Sequence, residues 1–360
     1  MGTSGLHSAC MALSMLLSSA SVRDGGSDGA QSNGDATMRA ERHSNERASA
    51  HLRPDSRIAD MLGTPAFAGF GRLLLPWDNH TYDETMRLGD IGSLLPYHSH
   101  VDPMNVVSAL NRMIDDVNKG ETIFYDFYTE VQKREDPTKE NTDLFFFRGK
   151  PGAPFAVVSP GGGFAYVGSV HEGFPYALEI SGRGYNAFVL RYRAGDGARV
   201  ATDDLAAAIS YIFKNAGALG VGIRDYSLWG SSAGARMAAA IGSHGVAAFG
   251  GDDLPRPSAV VTAYTGHSDH SSTEPPTFGV VGEQDRIAPP SLMERRIAAL
   301  RQAGAEVEYH KYKGLGHGFG PGIGTSAEGW IADAIRFWER HMKNSSHQLR
   351  RNAIGKSRID

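Results

Sequence analysis

The sequence predicts an α/β protein with a mostly parallel sheet covered by helices on both faces. From residue 121 onward, short apolar runs of strand length alternate with longer segments of helical periodicity. Parallel strands need crossover connections, so this alternation is typical of a parallel sheet. Of the 360 residues, 41% are apolar and 21% are charged, which are the values of a globular chain.

The predicted elements follow from apolar pattern, turn residues and helix start and stop signals. Thr202 is the predicted N-cap of the longest helix, because acidic residues follow it in the first turn. The predicted strands are residues 122–131, 143–149, 154–159, 186–193, 225–230, 258–264, 277–282 and 306–312. The predicted helices are residues 172–181, 202–219, 233–242, 289–304 and 327–342.

Three further segments flank the α/β domain, which we predict at residues 121–342. Residues 1–57 are predicted as a disordered leader, with a secretory signal as the alternative, although no Lys or Arg precedes its apolar run. Residues 58–120 are predicted as a helical N-terminal extension or cap, because 104–117 has apolar residues at helical spacing. The polar, basic residues 343–360 are predicted as a flexible tail.

Charge and composition exclude several classes of protein. The net charge of −4 argues against a nucleic-acid partner, which a basic face would recruit. No stretch of about 18 apolar residues predicts a membrane span. The single cysteine, Cys10, lies outside any predicted core, which excludes disulfides and cysteine nucleophiles in the folded domain. A cytoplasmic location is favoured, and secretion or a periplasmic location is the alternative if the leader is a signal peptide. The oligomeric state is not predicted.

The strongest candidate for chemistry is Ser232, in the G-x-S-x-G motif from Gly230 to Gly234. A predicted strand runs into this motif and a predicted helix leaves it, which is the context that a nucleophile elbow requires. A second match places Ser27 in the predicted leader, with no strand before it and no helix after it. We therefore predict Ser232 as the nucleophile and reject Ser27.

A serine hydroxyl needs a base, and the base needs a group that orients it. Downstream of Ser232, Asp285 follows one predicted strand and His317 lies in a glycine-rich loop after the last one. Carboxyl ends of parallel strands meet at one sheet edge, so we expect these residues to converge. Glu283 is the rival acid, but it lies closer to its strand.

A glycine-rich loop, "SPGGGFAYVG", follows the predicted strand at 154–159. We predict that the N–H groups of Gly162, Gly163 and Ala233 form an oxyanion hole. The loop lacks the Lys-Ser or Lys-Thr of a phosphate loop and the glycine spacing of a dinucleotide loop. Phe164, Tyr166 and Trp229 are candidate contacts to an acyl group, with a place in the core as the alternative for all three.

Four motifs in order, "VVSPGGGFAYVG", "WGSSAGA", "GEQDRIAPP" and "GLGHGFG", resemble the α/β-hydrolase superfamily. They are most similar to its acetyl-esterase and feruloyl- and acetylxylan-esterase-like branch, related to the hormone-sensitive-lipase group. The resemblance implies an eight-stranded sheet, hydrolysis of short-chain esters through an acyl-enzyme, and no cofactor or metal. It implies Ser232 as nucleophile, His317 as base and Asp285 as its orienting acid.

The resemblance implies a small-molecule ester as substrate, with an acylated carbohydrate as one candidate. The lipase group has His before its three glycines, whereas Pro160 stands there in this chain. This departure leaves the backbone donors in place and changes the outer contacts of the loop.

Three alternatives remain open at this point. The first is a metal-dependent hydrolase, because the H-x-H-x-D spacing of His98, His100 and Asp102 would place all three side chains on one side of an extended segment. His267 and His270 form the other histidine cluster in the sequence. A peptidase with the same triad is the second alternative. A non-catalytic binding protein on the same scaffold is the third.

Overall fold

The computed structural model describes residues 50–342. The predicted tail at 343–360 and the first 49 residues of the predicted leader, with Cys10 and Ser27, lie outside the described residues. The packed chain begins before the predicted boundary at residue 58. Leu52 is buried, and its N–H donates to the Asn111 side chain at 2.8 Å.

An eight-stranded sheet forms the centre, in the order β1-β2-β4-β3-β5-β6-β7-β8. Strand β2 runs antiparallel to β1 and β4, and all the other neighbouring pairs are parallel. The strands β2, β4, β6 and β7 are buried at every residue, as expected for a sheet covered on both faces. The strands are β1 Phe124–Tyr125, β2 Asp143–Phe147, β3 Pro154–Ser159, β4 Asn186–Arg191, β5 Gly222–Ser231, β6 Ala259–Ala263, β7 Thr277–Gly282 and β8 Val307–Tyr312.

The helices connect these strands and cover both faces, which confirms the predicted α/β architecture. The helices are α1 Ile58–Leu62, α2 Pro103–Asn118, α3 Glu130–Glu135, α4 Phe174–Gly182, α5 Gly197–Lys214, α6 Ala216–Leu219, α7 Ala233–His244, α8 Pro290–Gln302 and α9 over residues 330–342. Short 3₁₀ turns lie at Pro65–Phe67, Gly71–Leu74, Leu88–Leu94, Pro137–Asn141 and Ala247–Phe249, and a π turn at Ser169–Gly173.

The strand predicted at residues 122–131 was too long. Only Phe124–Tyr125 pairs with β2, and the chain then turns into α3. The cause is a capping box, in which the Thr129 hydroxyl accepts from the Gln132 N–H at 3.3 Å and the Gln132 side chain accepts from the Thr129 N–H at 2.9 Å. These local bonds outweigh the strand propensity of the aromatic residues before them.

The predicted N-cap at Thr202 was wrong as well, because α5 begins at Gly197. Thr202 is buried inside the helix, and its hydroxyl donates to the Ala198 carbonyl oxygen at 2.7 Å. Inside a helix, a threonine hydroxyl can donate to the carbonyl oxygen four residues earlier, so threonine does not have to stand at a helix end to form a hydrogen bond.

The segment before the sheet shares one hydrophobic core with it. Buried residues of this segment, among them Ile58 and Leu110, belong to the same cluster as Phe145 and Val189 of the sheet. Along α2 the apolar residues predicted at helical spacing face this cluster. Among residues 50–342, no helix is both long and apolar enough to cross a membrane.

Candidate active site

Ser232 lies on the sharp turn between β5 and α7. Its backbone has φ 51° and ψ −112°, a conformation that L-residues rarely adopt and that costs about 1–3 kcal/mol. A Cβ on Gly230 would lie 2.3 Å from the Gly234 carbonyl carbon, and one on Gly234 would lie 1.8 Å from the Ser159 carbonyl oxygen. Both outer positions of the motif therefore require glycine, and the strained turn exposes the serine.

The structure brings the predicted serine, histidine and aspartate together. His317 Nε2 lies 2.8 Å from Ser232 Oγ, and His317 Nδ1 lies 2.7 Å from Asp285 Oδ2. The other carboxylate oxygen, Asp285 Oδ1, accepts from the N–H groups of Ile287 and Ala288 at 2.9 and 2.8 Å. The aspartate is thereby held by its own loop while it faces the imidazole.

This order of hydrogen bonds assigns the histidine tautomer. A carboxylate is an acceptor, so Nδ1–H donates to Asp285 and Nε2 is left to accept the proton of the Ser232 hydroxyl. Asp285 and His317 are only 4% and 8% exposed, whereas Ser232 is half-buried. Solvent and ligands thus reach the serine first. The rival acid Glu283 is exposed, and its carboxylate lies 3.4 Å from the Gly314 N–H.

The glycine-rich loop lies against Ser232. A Cβ on Gly161 would come within 3.0 Å of the Ser232 Cβ. Gly162 and Gly163 follow with φ 134° and 65°, which glycine adopts without strain. Within residues 50–342, no group accepts a hydrogen bond from the N–H of Gly162, Gly163 or Ala233. Ala233 is also the first residue of α7, where the helix dipole favours negative charge.

The three predicted aromatic contacts differ in their placement. Trp229 is fully buried against Trp330 and belongs to the core. Tyr166 has no exposed surface either, so its ring lies behind the glycine loop. Phe164 is half-buried and meets the edge of Tyr192, which leaves part of its ring accessible.

Tyr97 is an aromatic residue that the sequence reasoning missed. Its side chain is 43% exposed and its ring stacks on Tyr166, with centroids 5.7 Å apart. A Cβ on Gly163 would lie 3.0 Å from the Tyr97 ring, so Tyr97 borders the glycine loop. No sequence signal marks it, because it lies outside the predicted domain.

The metal-binding alternative at His98, His100 and Asp102 finds no support in the contacts of these side chains. His98 lies between the Tyr166 hydroxyl and the Glu172 carboxylate, at 2.8 and 3.1 Å. Asp102 is the N-cap of α2 and accepts from the Met104 N–H. Among the described residues, no group of three or more His, Cys, Asp or Glu side chains could hold a metal ion.

Two buried polar residues near the site also escaped the sequence reasoning. Glu172 and Tyr264 have 0% exposure, and their side chains form a 2.6 Å hydrogen bond. Glu172 stands between apolar residues in "SVHEGFPYA", and a carboxylate in such a run is a signal that could have been used.

Comparison with known proteins gives a family match and several structural likenesses. The model of the prolyl oligopeptidase family matches residues 259–345, a stretch that includes Asp285 and His317. No curated protein matches the chain.

Among solved structures, a thermophilic esterase from the Planctomycetes species Thermogutta terrifontis is 19% identical, with 58% of this chain and 88% of that chain covered and a TM-score of 0.47. An α/β hydrolase from a deep-sea metagenome library of the Medee basin is 24% identical (56% and 93% covered, TM-score 0.48). An acetyl ester-xyloside bifunctional hydrolase from Caldicellulosiruptor lactoaceticus is 21% identical (55% and 88% covered, TM-score 0.49).

The fold follows from the chain's own architecture. The sheet is mostly parallel, Ser232 lies on a strand-to-helix elbow, and Asp285 and His317 follow later strands in that order. This combination defines one fold among the α/β architectures. The described chain therefore has the α/β-hydrolase fold.

Proposed function

We propose that this protein is a serine hydrolase that cleaves short-chain carboxylic esters through an acyl-enzyme. The observation that carries the proposal is the hydrogen-bond chain from Asp285 through His317 to Ser232, which ends on a strained elbow. A serine hydroxyl is a weak nucleophile at neutral pH, and an oriented imidazole is what makes it reactive.

In the proposed mechanism, Ser232 Oγ attacks the ester carbonyl carbon while His317 Nε2 takes the hydroxyl proton. The carbonyl oxygen becomes an oxyanion, which the N–H groups of Gly162, Gly163 and Ala233 stabilise. His317 returns the proton to the alcohol as the C–O bond breaks. Water then attacks the acyl-enzyme by the same steps, which releases the acid and restores the serine.

The substrate class follows from the sequence motifs and from one exposed aromatic ring. The sequence resemblance to acetyl esterases supports a short acyl chain, and the exposed ring of Tyr97 beside Gly163 offers a flat apolar surface to the ester. An acylated carbohydrate fits this proposal, because sugar rings pack well on exposed aromatic faces.

The test compares hydrolysis of p-nitrophenyl acetate and p-nitrophenyl octanoate by the wild type and by two serine variants. Ser232→Ala is expected to lower kcat by at least ~10⁴-fold. The matched control is Ser231→Ala, because Ser231 is fully buried and its hydroxyl lies 3.0 Å from the Tyr176 hydroxyl, whereas His317 contacts Ser232. We expect this neighbour to keep kcat within about tenfold of the wild type, the effect of one lost hydrogen bond.

A fluorophosphonate probe adds a direct readout. It should add its mass to the tryptic peptide that contains Ser232 in the wild type and in Ser231→Ala, and not in Ser232→Ala. EDTA should leave every rate unchanged. Hydrolysis that persists in Ser232→Ala, or that stops with EDTA, would refute the proposal.

A peptidase is the second candidate, favoured by the match of residues 259–345 to the prolyl oligopeptidase family. The same triad would cleave an amide by the same steps. The wild type is therefore also assayed with a blocked glycyl-prolyl p-nitroanilide. A higher kcat/KM on this amide than on p-nitrophenyl acetate would replace the esterase by the peptidase.

A further inference from the structure

The Glu172 carboxylate is a buried anion with three hydrogen-bond donors around it. Its Oε2 accepts from the Gly161 N–H at 2.6 Å and lies 3.1 Å from His98 Nε2, while Oε1 accepts from the Tyr264 hydroxyl at 2.6 Å. Neither Glu172 nor the His98 side chain is more than 2% exposed. Burial alone would raise the pKa of Glu172, but His98 beside it and its hydrogen bonds lower that pKa to about 2. The surroundings of the carboxylate therefore favour its ionised form.

Each of the three donors belongs to a different part of the site. Gly161 opens the glycine loop that lies against Ser232. Tyr264 follows β6, its ring lies 5.1 Å from the His317 ring, and its hydroxyl accepts from the Gly320 N–H at 3.2 Å. His98 comes from the segment before the sheet. One carboxylate thus joins the glycine loop, the loop of the proposed base and the N-terminal segment.

The glycine loop depends on such outside contacts. Three consecutive glycines have no side chains that could hold their backbone, and glycine loses more conformational freedom on folding than any other residue. An oxyanion hole is effective only when its donors are already in place before the reaction. The bond from the Gly161 N–H to Glu172 holds the Pro160–Gly161 peptide, which directly precedes the peptide that carries the Gly162 N–H.

We propose that Glu172, held by His98 and Tyr264, is a positioning residue that pre-organises the oxyanion loop. The π turn at Ser169–Gly173 fits this role, because such turns redirect a side chain at functional sites. This inference rests on the proposed function, and Glu172 acts through Gly161 without touching the substrate.

The principal test is Glu172→Gln in the full chain. An amide has one acceptor oxygen, so it leaves either the Gly161 N–H or the Tyr264 hydroxyl without an acceptor. We expect kcat on p-nitrophenyl acetate to fall by ~10²-fold, the effect of losing one oxyanion donor, with KM changed by less than about threefold. The matched control is Glu179→Gln in α4, the helix that follows the π turn. Glu179 is a half-buried glutamate beyond the site, and its variant should match the wild type.

Inhibition by a boronic acid distinguishes a displaced oxyanion loop from a general loss of folded enzyme. Its tetrahedral serine adduct places an oxygen in the oxyanion hole, so its inhibition constant should rise in parallel with the loss in kcat. The extent of fluorophosphonate labelling at Ser232 after long incubation should remain complete, because the nucleophile is intact. A loss confined to KM, or an unchanged boronate constant, would overturn the inference.

Three further substitutions test the inference if Glu172→Gln does not fold. His98→Leu removes the donor to Glu172, whereas His98→Gln returns an amide N–H near the Nε2 position. We expect kcat to fall in His98→Leu and to recover at least partly in His98→Gln, and Tyr264→Phe to lose about tenfold. Equal kcat in the His98 variants and the wild type would refute the inference. If the wild type itself shows no activity that depends on Ser232, the proposed function fails first.

Discussion

The Ser99 hydroxyl donates a 2.8 Å hydrogen bond to the backbone carbonyl oxygen of His317. The next residue is held as well, because the Gly318 carbonyl oxygen accepts from the Ser99 N–H at 2.9 Å. Gly318 has φ 67°, and a Cβ there would lie 2.4 Å from the Tyr97 carbonyl oxygen. The segment before the sheet therefore packs directly on the loop that carries the proposed base.

Ser99→Ala is expected to lower kcat by about two- to tenfold, the effect of one neutral hydrogen bond on the position of His317. Steady-state hydrolysis of p-nitrophenyl acetate measures this, with Ser108→Ala as the matched control. The Ser108 hydroxyl bonds to the Met104 carbonyl oxygen on the exposed face of α2, away from the site. Identical kinetics in the two variants would show that the Ser99 bond has no part in placing the histidine.

Asp285→Asn is expected to lower kcat by ~10³–10⁴-fold, because an amide stabilises the wrong tautomer of His317 and no charge balances the imidazolium. The protein should still fold, since the asparagine Oδ1 can accept from the N–H groups of Ile287 and Ala288.

The control for this prediction is Glu283→Gln, the rival acid, which is exposed and bonds weakly to Gly314 at 3.4 Å. Its activity should equal that of the wild type. A large loss in Glu283→Gln with a small one in Asp285→Asn would exchange the roles of the two acids.

Arg191 in β4 holds the N-terminal segment to the sheet from inside the protein. Its fully buried guanidinium donates to the carbonyl oxygens of Leu73 and Leu75 at 3.1 and 2.6 Å and pairs with Asp78. Asp78→Ala removes the carboxylate that pairs with this buried charge, so we expect the free energy of unfolding to fall by about 3–5 kcal/mol.

Urea unfolding measures this change, with Asp203→Ala as the control. Asp203 pairs with Arg199 on the surface of α5, where the Arg199 side chain is exposed and the Asp203 side chain is partly exposed. Its loss should change the free energy of unfolding by less than about 0.5 kcal/mol. Equal effects of the two substitutions would mean that the buried pair contributes no more than a surface pair.

The strands after β1, the elbow and the three residues that meet at it were predictable, because each carries a local signal. Buried strands show as apolar runs, and the glycines beside Ser232 are required by contacts as short as 1.8 Å. Helix ends were less predictable, as Thr202 shows, because a side chain can bond within the helix as well as at its end. The partners of Glu172 could not be predicted, since Gly161, His98 and Tyr264 meet only in the folded chain.

The spacing of His98, His100 and Asp102 suggested a metal site that the folded chain does not form among the described residues. Alternation places residues on one side of a strand only where the chain stays extended. Here His100 has φ 54° and Asp102 begins α2, so the alternation is broken between them. His98 instead contacts Tyr166 and Glu172, and Asp102 caps α2.

Asp143 at the start of β2 is expected to make stability depend on pH. Burial first, and then the nearby charge of Asp126, raise its pKa from 3.8 to about 8, against the opposing effect of Lys133. Between these two values the unfolded chain has lost the proton and the folded chain keeps it, so stability falls as pH rises from about 4 to 8. Over this pH range the free energy of unfolding falls by a total on the order of a few kcal/mol. Asp143→Asn removes this one titration and leaves the others, so the difference between the urea unfolding energies of variant and wild type should increase from pH 5 to pH 8. A difference that stays constant with pH would show that Asp143 is ionised in the folded protein.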